Sequence, residues 1–252
     1  MRNVLFDDRG ATLLSTVQLL PALTELDIYG TDGEAVLIDP VSDDNGLPRC
    51  RELAELHSRS LTWLRVCMID GPADGNVLRL KELPQLRSVE LNGHLEYPPI
   101  HMRIDAASFE GTPKLQNLHL QDDRGLVLQD GSLQQLTALT ALRLLRCNLH
   151  SIPADLASVG MTLRVLDMSL NRQLRVSHSA AASILQCSRL EKLGMHGPTH
   201  LDIDTVEHLL MLPLSFQKQH RRDLDIFFDE ASYLKCSDTD LGWPPDDCES
   251  SF

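Results

Sequence analysis

The side chains in this chain that could do chemistry are few, and each stands apart from the others. His196 and His200 are four residues apart, which would bring two imidazoles to one metal only if both left the same helix face. Gly197 and Pro198 between them break a helix, so structural loop roles are expected for both histidines. Cys67 and Cys147 are nucleophiles by type, but neither has an assignable base or an adjacent helix start, and a lone Cys more often packs as a small hydrophobe. No glycine-rich phosphate loop, paired-carboxylate arrangement or nucleophile elbow occurs. The expectation is a protein that is not an enzyme and needs no metal or cofactor.

A different chemistry, recognition of another protein, depends on which elements present the polar and aromatic residues. The clearest element is Leu163-Arg-Val-Leu166-Asp-Met168-Ser-Leu-Asn171-Arg-Gln-Leu174. The same spelling occurs 24 residues earlier as Leu139-Thr-Ala-Leu142-Arg-Leu144-Leu-Arg-Cys147-Asn-Leu149, with Cys in the Asn slot. Shorter copies of its first part begin at Leu23, Leu61, Leu86, Leu115 and Leu190, with a degenerate copy at Arg221. The starts lie 38, 25, 29, 24, 24, 27 and 31 residues apart, a period belonging to stacked repeats. The first interval implies an insertion within 31–48, a run of acids and turn formers.

Composition agrees with a repetitive interior. Leu fills 47 of 252 positions while the three aromatic types together fill 11, so one branched aliphatic side chain must build most of the core. The formal net charge of −13 opposes a polyanionic partner, which argues against nucleic acid. No stretch reaches the roughly 18 to 20 apolar residues of a spanning helix, so no membrane insertion is expected. Asp7 and Asp8 stand where a secretory signal would need apolar residues, the six Cys lack paired spacing, and no Asn-x-Ser/Thr acceptor exists. These point to an intracellular setting, with the cytoplasm first and the nucleus left open.

The repeat spelling resembles the leucine-rich repeat family over about residues 12 to 228. That resemblance implies an α/β solenoid of about eight repeats: a curved horseshoe with a concave parallel β-sheet inside and short helices or turns on the convex side. Residues 1–228 would form the repeat domain, and 229–252, with seven acids against Lys235, an acidic tail or cap expected to be poorly ordered. In this family the Asn171 slot bonds neighbouring backbone groups. Segments Cys50–Leu56, Ser132–Leu136, Ala180–Cys187 and Asp204–Leu212 are expected as helices or helical turns of the outer arc. Leu149 to Leu156 is similar to plant-type repeats, and Cys187 onward to the repeats of ubiquitin-ligase substrate receptors.

In a strand of such a repeat alternate residues point to opposite faces, so the residues between the buried aliphatics face outward. The concave candidates for partner binding are Tyr29, Trp63, Arg65, Glu90, Asn117, His119, Arg143, Arg146, Asp167, Lys192 and His196, among neighbours such as Glu25, Asp27 and Ser88. Trp and Arg stand out because those types are enriched where interfaces gain most of their energy. The expected function is an adaptor or scaffold that binds another protein on this face. The alternatives are the substrate-recognition part of a ubiquitin ligase or a fragment of a larger receptor or signalling protein.

Overall fold

The computed structural model describes residues 20–28, 52–68, 77–93, 102–123, 125–196, 203–220 and 222–227. The insertion at 31–48, the segment 229–252, Tyr29 and His200 lie outside the described residues. Ten strands are present among the described residues: β1 (Glu25–Ile28), β2 (Trp63–Met68), β3 (Ser88–Gly93), β4 (Arg103–Ile104), β5 (Asn117–Gln121), β6 (Val127–Leu128), β7 (Ala141–Leu145), β8 (Val165–Asp167), β9 (Lys192–Gly194) and β10 (Asp225–Phe227). Eight of them form one sheet in the order β1-β2-β3-β5-β7-β8-β9-β10, and every pairing is parallel. The chain is thus a parallel solenoid, and each of the eight segments picked out by the aliphatic spelling supplies one strand of its sheet.

Register explains the spelling. Leu26, Leu64, Val89, Leu118, Leu142, Leu166, Leu193 and Ile226 are successive Cα partners, one per strand. All but Ile226 are essentially inaccessible, none of them more than 1 % exposed. The leading Leu of each copy from Leu23 to Leu190 is buried as well, so the interior is a column of like side chains stacked coil on coil. Each contributes roughly 1.5–3 kcal/mol relative to exposure.

The return segments are more varied than the expected outer arc. Glu52–Glu55 and Leu156–Val159 are single 3-10 turns, Ser132–Leu136 is a turn, and β4 pairs with β6 in a second, two-stranded parallel ladder. The coils that start with β5 and β7 repeat after 24 residues, and their return legs hold turns, the short β6 and a single 3-10 turn. Helices appear where the period lengthens: α1 (His178–Gln186), started by Ser177, whose hydroxyl accepts the Ala180 N–H, and α2 (Ile203–His220). The α2 helix continues beyond the expected end at Leu212 and through Pro213, because Leu212 and Phe216, four apart, are both buried and His220 Nε2 meets the Leu185 carbonyl at 2.6 Å.

Polar groups close the coils. Asn171, 1 % exposed, donates from Nδ2 to the carbonyls of Leu144 (2.7 Å), Met168 (2.8 Å) and Ser169 (3.2 Å), while its Oδ1 accepts the N–H groups of Cys147 (2.9 Å) and Leu149 (3.0 Å). One amide thereby satisfies five backbone groups of two adjacent coils. Cys147 takes the same slot one coil earlier and turns its thiol toward the carbonyls of Leu120 and Leu145 at 3.4 and 3.3 Å. Asp123 fills it one coil earlier still, its carboxylate accepting from Met102 N and Gly125 N. Further along the return legs, Arg79 grips Asp105 with two 2.7 Å bonds, which holds the Asp105 carboxyl below the usual range. Gly111 is required where it stands, because a Cβ there would overlap the Lys81 carbonyl oxygen at 1.6 Å.

Replacing Asn171 by Leu keeps approximate volume but strands several buried backbone donors and acceptors, each costing roughly 1–3 kcal/mol. The variant is expected to lose at least about 3 kcal/mol in urea unfolding, whereas Cys147→Ser, which keeps a donor in its slot, is expected to lose far less. Equal losses in the two variants would refute this role for Asn171. Stability carried by Asp105 is complete above the unfolded carboxyl pKa and is lost as pH falls through its depressed folded value. The acid-induced decline should therefore be shallower in Arg79→Met than in the parent.

Candidate functional site

One residue after the aliphatic row, the chain faces the other way, and register lines up a second row across the sheet: Asp27, Arg65, Glu90, His119, Arg143, Asp167, then Gly194 and Phe227. The first six are polar, and their formal charges run negative, positive, negative, imidazole, positive, negative. Such an arrangement follows from the parity of a strand, since a polar residue between two buried aliphatics has to emerge on the opposite face. The alternation of half-exposed and buried residues is regular along the whole of β5, and in β3 it holds from Ser88 to Asn92.

The row is laterally coupled. Arg65 Nε lies 3.1 Å from Glu90 Oε1, and Asn92 Nδ2 donates to that same oxygen at 3.1 Å. Asp27 sits beside them on the edge strand. Burial raises its carboxyl above the usual range, Arg65 draws it back down, and Glu90 raises it further. At the other end the Asp167 side chain is only 2 % exposed: its Oδ1 accepts the Ser169 N–H at 3.0 Å and lies where a Cβ on Gly194 would come within 2.3 Å. Gly194 thus makes room for the Asp167 carboxylate, a contact that a one-strand reading of the sequence has no means to reveal.

The neighbouring row holds Glu25, Trp63, Ser88, Asn117, Ala141, Val165, Lys192 and Asp225 as successive partners. The structure therefore gathers Trp63, Arg65, Glu90, Asn117, His119, Arg143 and Lys192 onto one face, all half-exposed. Asp167 is on that face but offers a partner little surface. Arg146 belongs to the turn after β7 rather than to a strand position, with φ at 52° and its guanidinium 3.3 Å from Asp122 Oδ1. His196 follows β9, and its N–H bonds Ser169 Oγ at 3.0 Å. Ala141 in that row and Leu145 at the end of β7 are only 6 % and 8 % exposed.

The thiols of Cys147 and Cys187 are buried. Burial, aided by Asp123, pushes the Cys147 thiol well above its ordinary range, and burial pushes Cys187 up to about 12, so both are protonated thiols at neutral pH. Among the described residues no group of three or more His, Cys, Asp or Glu side chains is placed to hold a metal ion. No described helix is long and apolar enough to cross a membrane. A separate open groove of about 630 Å³, not foreseen from the sequence, lies where the chain leads into β1, β2, β3 and β5; Pro21, Pro84, Pro113, His57 and Lys81 contribute to its lining. His57 Nδ1 there meets Glu82 Oε2 at 3.1 Å. No protein-family model matches the chain, and no curated protein is similar to it.

Neutralising Asp27 tests the electrostatics of the row. A raised folded pKa means that the folded state resists ionisation more than the unfolded chain does, so stability falls as pH rises through the unfolded value. Asp27→Asn should therefore raise the melting temperature at pH 7 and leave it unchanged near pH 3, where the carboxyl is protonated in both states. A drop at pH 7 in differential scanning fluorimetry would contradict the assignment.

Proposed function

We propose that this chain is a leucine-rich repeat solenoid of about eight coils, acting as an intracellular adaptor or scaffold that takes a protein partner on the open face of its sheet. The observation that carries the reading is the polar row from Asp27 to Asp167, which stands in register across six strands beside Trp63. A sheet face needed only for solubility gains nothing from a half-exposed Trp and closely set Arg, His and carboxylate groups. A protein interface uses all of them, with aromatic and Arg anchors inside a polar rim. Asn171 supports the family reading by bonding backbone in the way the motif implies. The free thiols of Cys147 and Cys187 suit a reducing compartment. Cys187, which suggested a ubiquitin-ligase receptor, is fully buried and directs its thiol to the Ser183 carbonyl, so packing accounts for it.

Affinity purification with the intact chain as bait is expected to retrieve a protein partner whose binding falls at least about tenfold in Arg143→Glu/Lys192→Glu, a loss of about 1.4 kcal/mol or more, at unchanged melting temperature. Arg172 and Arg175 are exposed outside the sheet, and reversing them serves as the control. A partner that survives the first pair of substitutions and is lost with the second overturns the choice of face.

A further inference from the structure

Resting on the sheet-face reading, we infer that the β1–β3 end receives a basic segment of the protein partner, with a Lys or Arg side chain seated between the Trp63 indole and the carboxylates of Glu25, Asp27 and Glu90. Register puts Glu25 beside Trp63 and Asp27 beside Arg65, with Glu90 the next partner of Arg65. With strands about 4.8 Å apart and alternate residues about 6.6 Å apart, the three carboxylates spring from backbone positions within about 12 Å of one another. Arg65 is the one cation set among them in these two rows, and it is already engaged by Glu90. The local excess is therefore of negative charge, which a cation corrects.

Trp63 makes the corner more than a patch of acids. An indole is the best aromatic partner for a cation, and here it lies half-exposed with a carboxylate on the adjacent strand, so an ammonium or guanidinium gains a ring face and an ion pair at one place. The far part of the face has a different character. There Arg143 and Lys192 stand with the buried Asp167 and the exposed Asp225, so cations balance carboxylates and the negative excess that draws a basic segment is left at β1–β3.

The chain contains two Trp, so Trp243→Phe leaves Trp63 as the sole indole reporter in the full-length protein. Hexalysine, titrated at low salt, is expected to change Trp63 emission saturably. In that background Glu25→Gln/Asp27→Asn should weaken binding at least about fivefold, whereas Asp246→Asn/Asp247→Asn, which removes equal charge from the C-terminal segment, should weaken it less than about twofold. Equal weakening in both variants would reduce the effect to diffuse attraction by a chain of net charge −13 and overturn the proposal, as would the absence of any change in Trp63 emission. Glu25→Lys alone, at an exposed position, is the second variant should the double substitution fold poorly, and it must also weaken hexalysine binding. A response to hexaglutamate in place of hexalysine overturns the assigned sign while leaving the sheet-face reading intact; that reading fails separately, on the charge reversal of Arg143 and Lys192.

Discussion

Everything in this molecule depends on one aliphatic row being kept in register. Leu26, Leu64, Val89, Leu118, Leu142, Leu166, Leu193 and Ile226 pair strand to strand without a slip. A slip of one residue in any strand would send its Leu to the open face and its charged neighbour into the core, exchanging a favourable burial for an uncompensated one. The same constraint that assembles the core therefore fixes where every outward side chain stands. The polar row is placed at no extra conformational cost, since it is the aliphatic row displaced by one residue.

Stacking like on like leaves the ends of each coil to be closed by polar bonds, and here the chain uses three different residues for one task. Asp123, Cys147 and Asn171 occupy successive copies of one position, and only Asn has both the donors and the acceptor to serve two coils at once. The backbone just before this position turns through positive φ at Asp122, Arg146 and Leu170, all non-glycine residues. That unfavourable conformation recurs in three adjacent coils, and the inter-coil bonds Asp122 N to Leu145 O, Arg146 N to Ser169 O and Leu170 N to His196 O hold all three. Closure of the coils is thus a cooperative property of neighbours.

The eight strands were legible because burial in a strand repeats every two residues and the coil repeats every two dozen, and both periods are written in Leu, Val, Ile and Met. Residues that depend on a neighbouring coil were not. Asp167 reads as an exposed carboxylate from its strand alone, yet Gly194 on the next strand lets it fold down and become buried. Arg146 reads as a strand residue because nothing in its own segment announces the left-handed turn. The length of α2 was hidden by Pro213, a local helix breaker overridden by the burial of Leu212 and Phe216. Asp123 went unnoticed as an equivalent of Asn171, although its distance of eight residues from Leu115 carries that signal. The candidate face was therefore readable as a set of positions, while its pairings, such as Arg65 with Glu90, required the fold.

The account stands or falls on strands distant in sequence lying side by side with outward residues in line. Spin labels on cysteines introduced at Asn117 and Lys192, both half-exposed and three strand steps apart, measure this directly by electron paramagnetic resonance. The account requires a single narrow distribution for backbones about 15 Å apart, before the label length is added. A broad distribution, or one centred beyond about 30 Å, would contradict it.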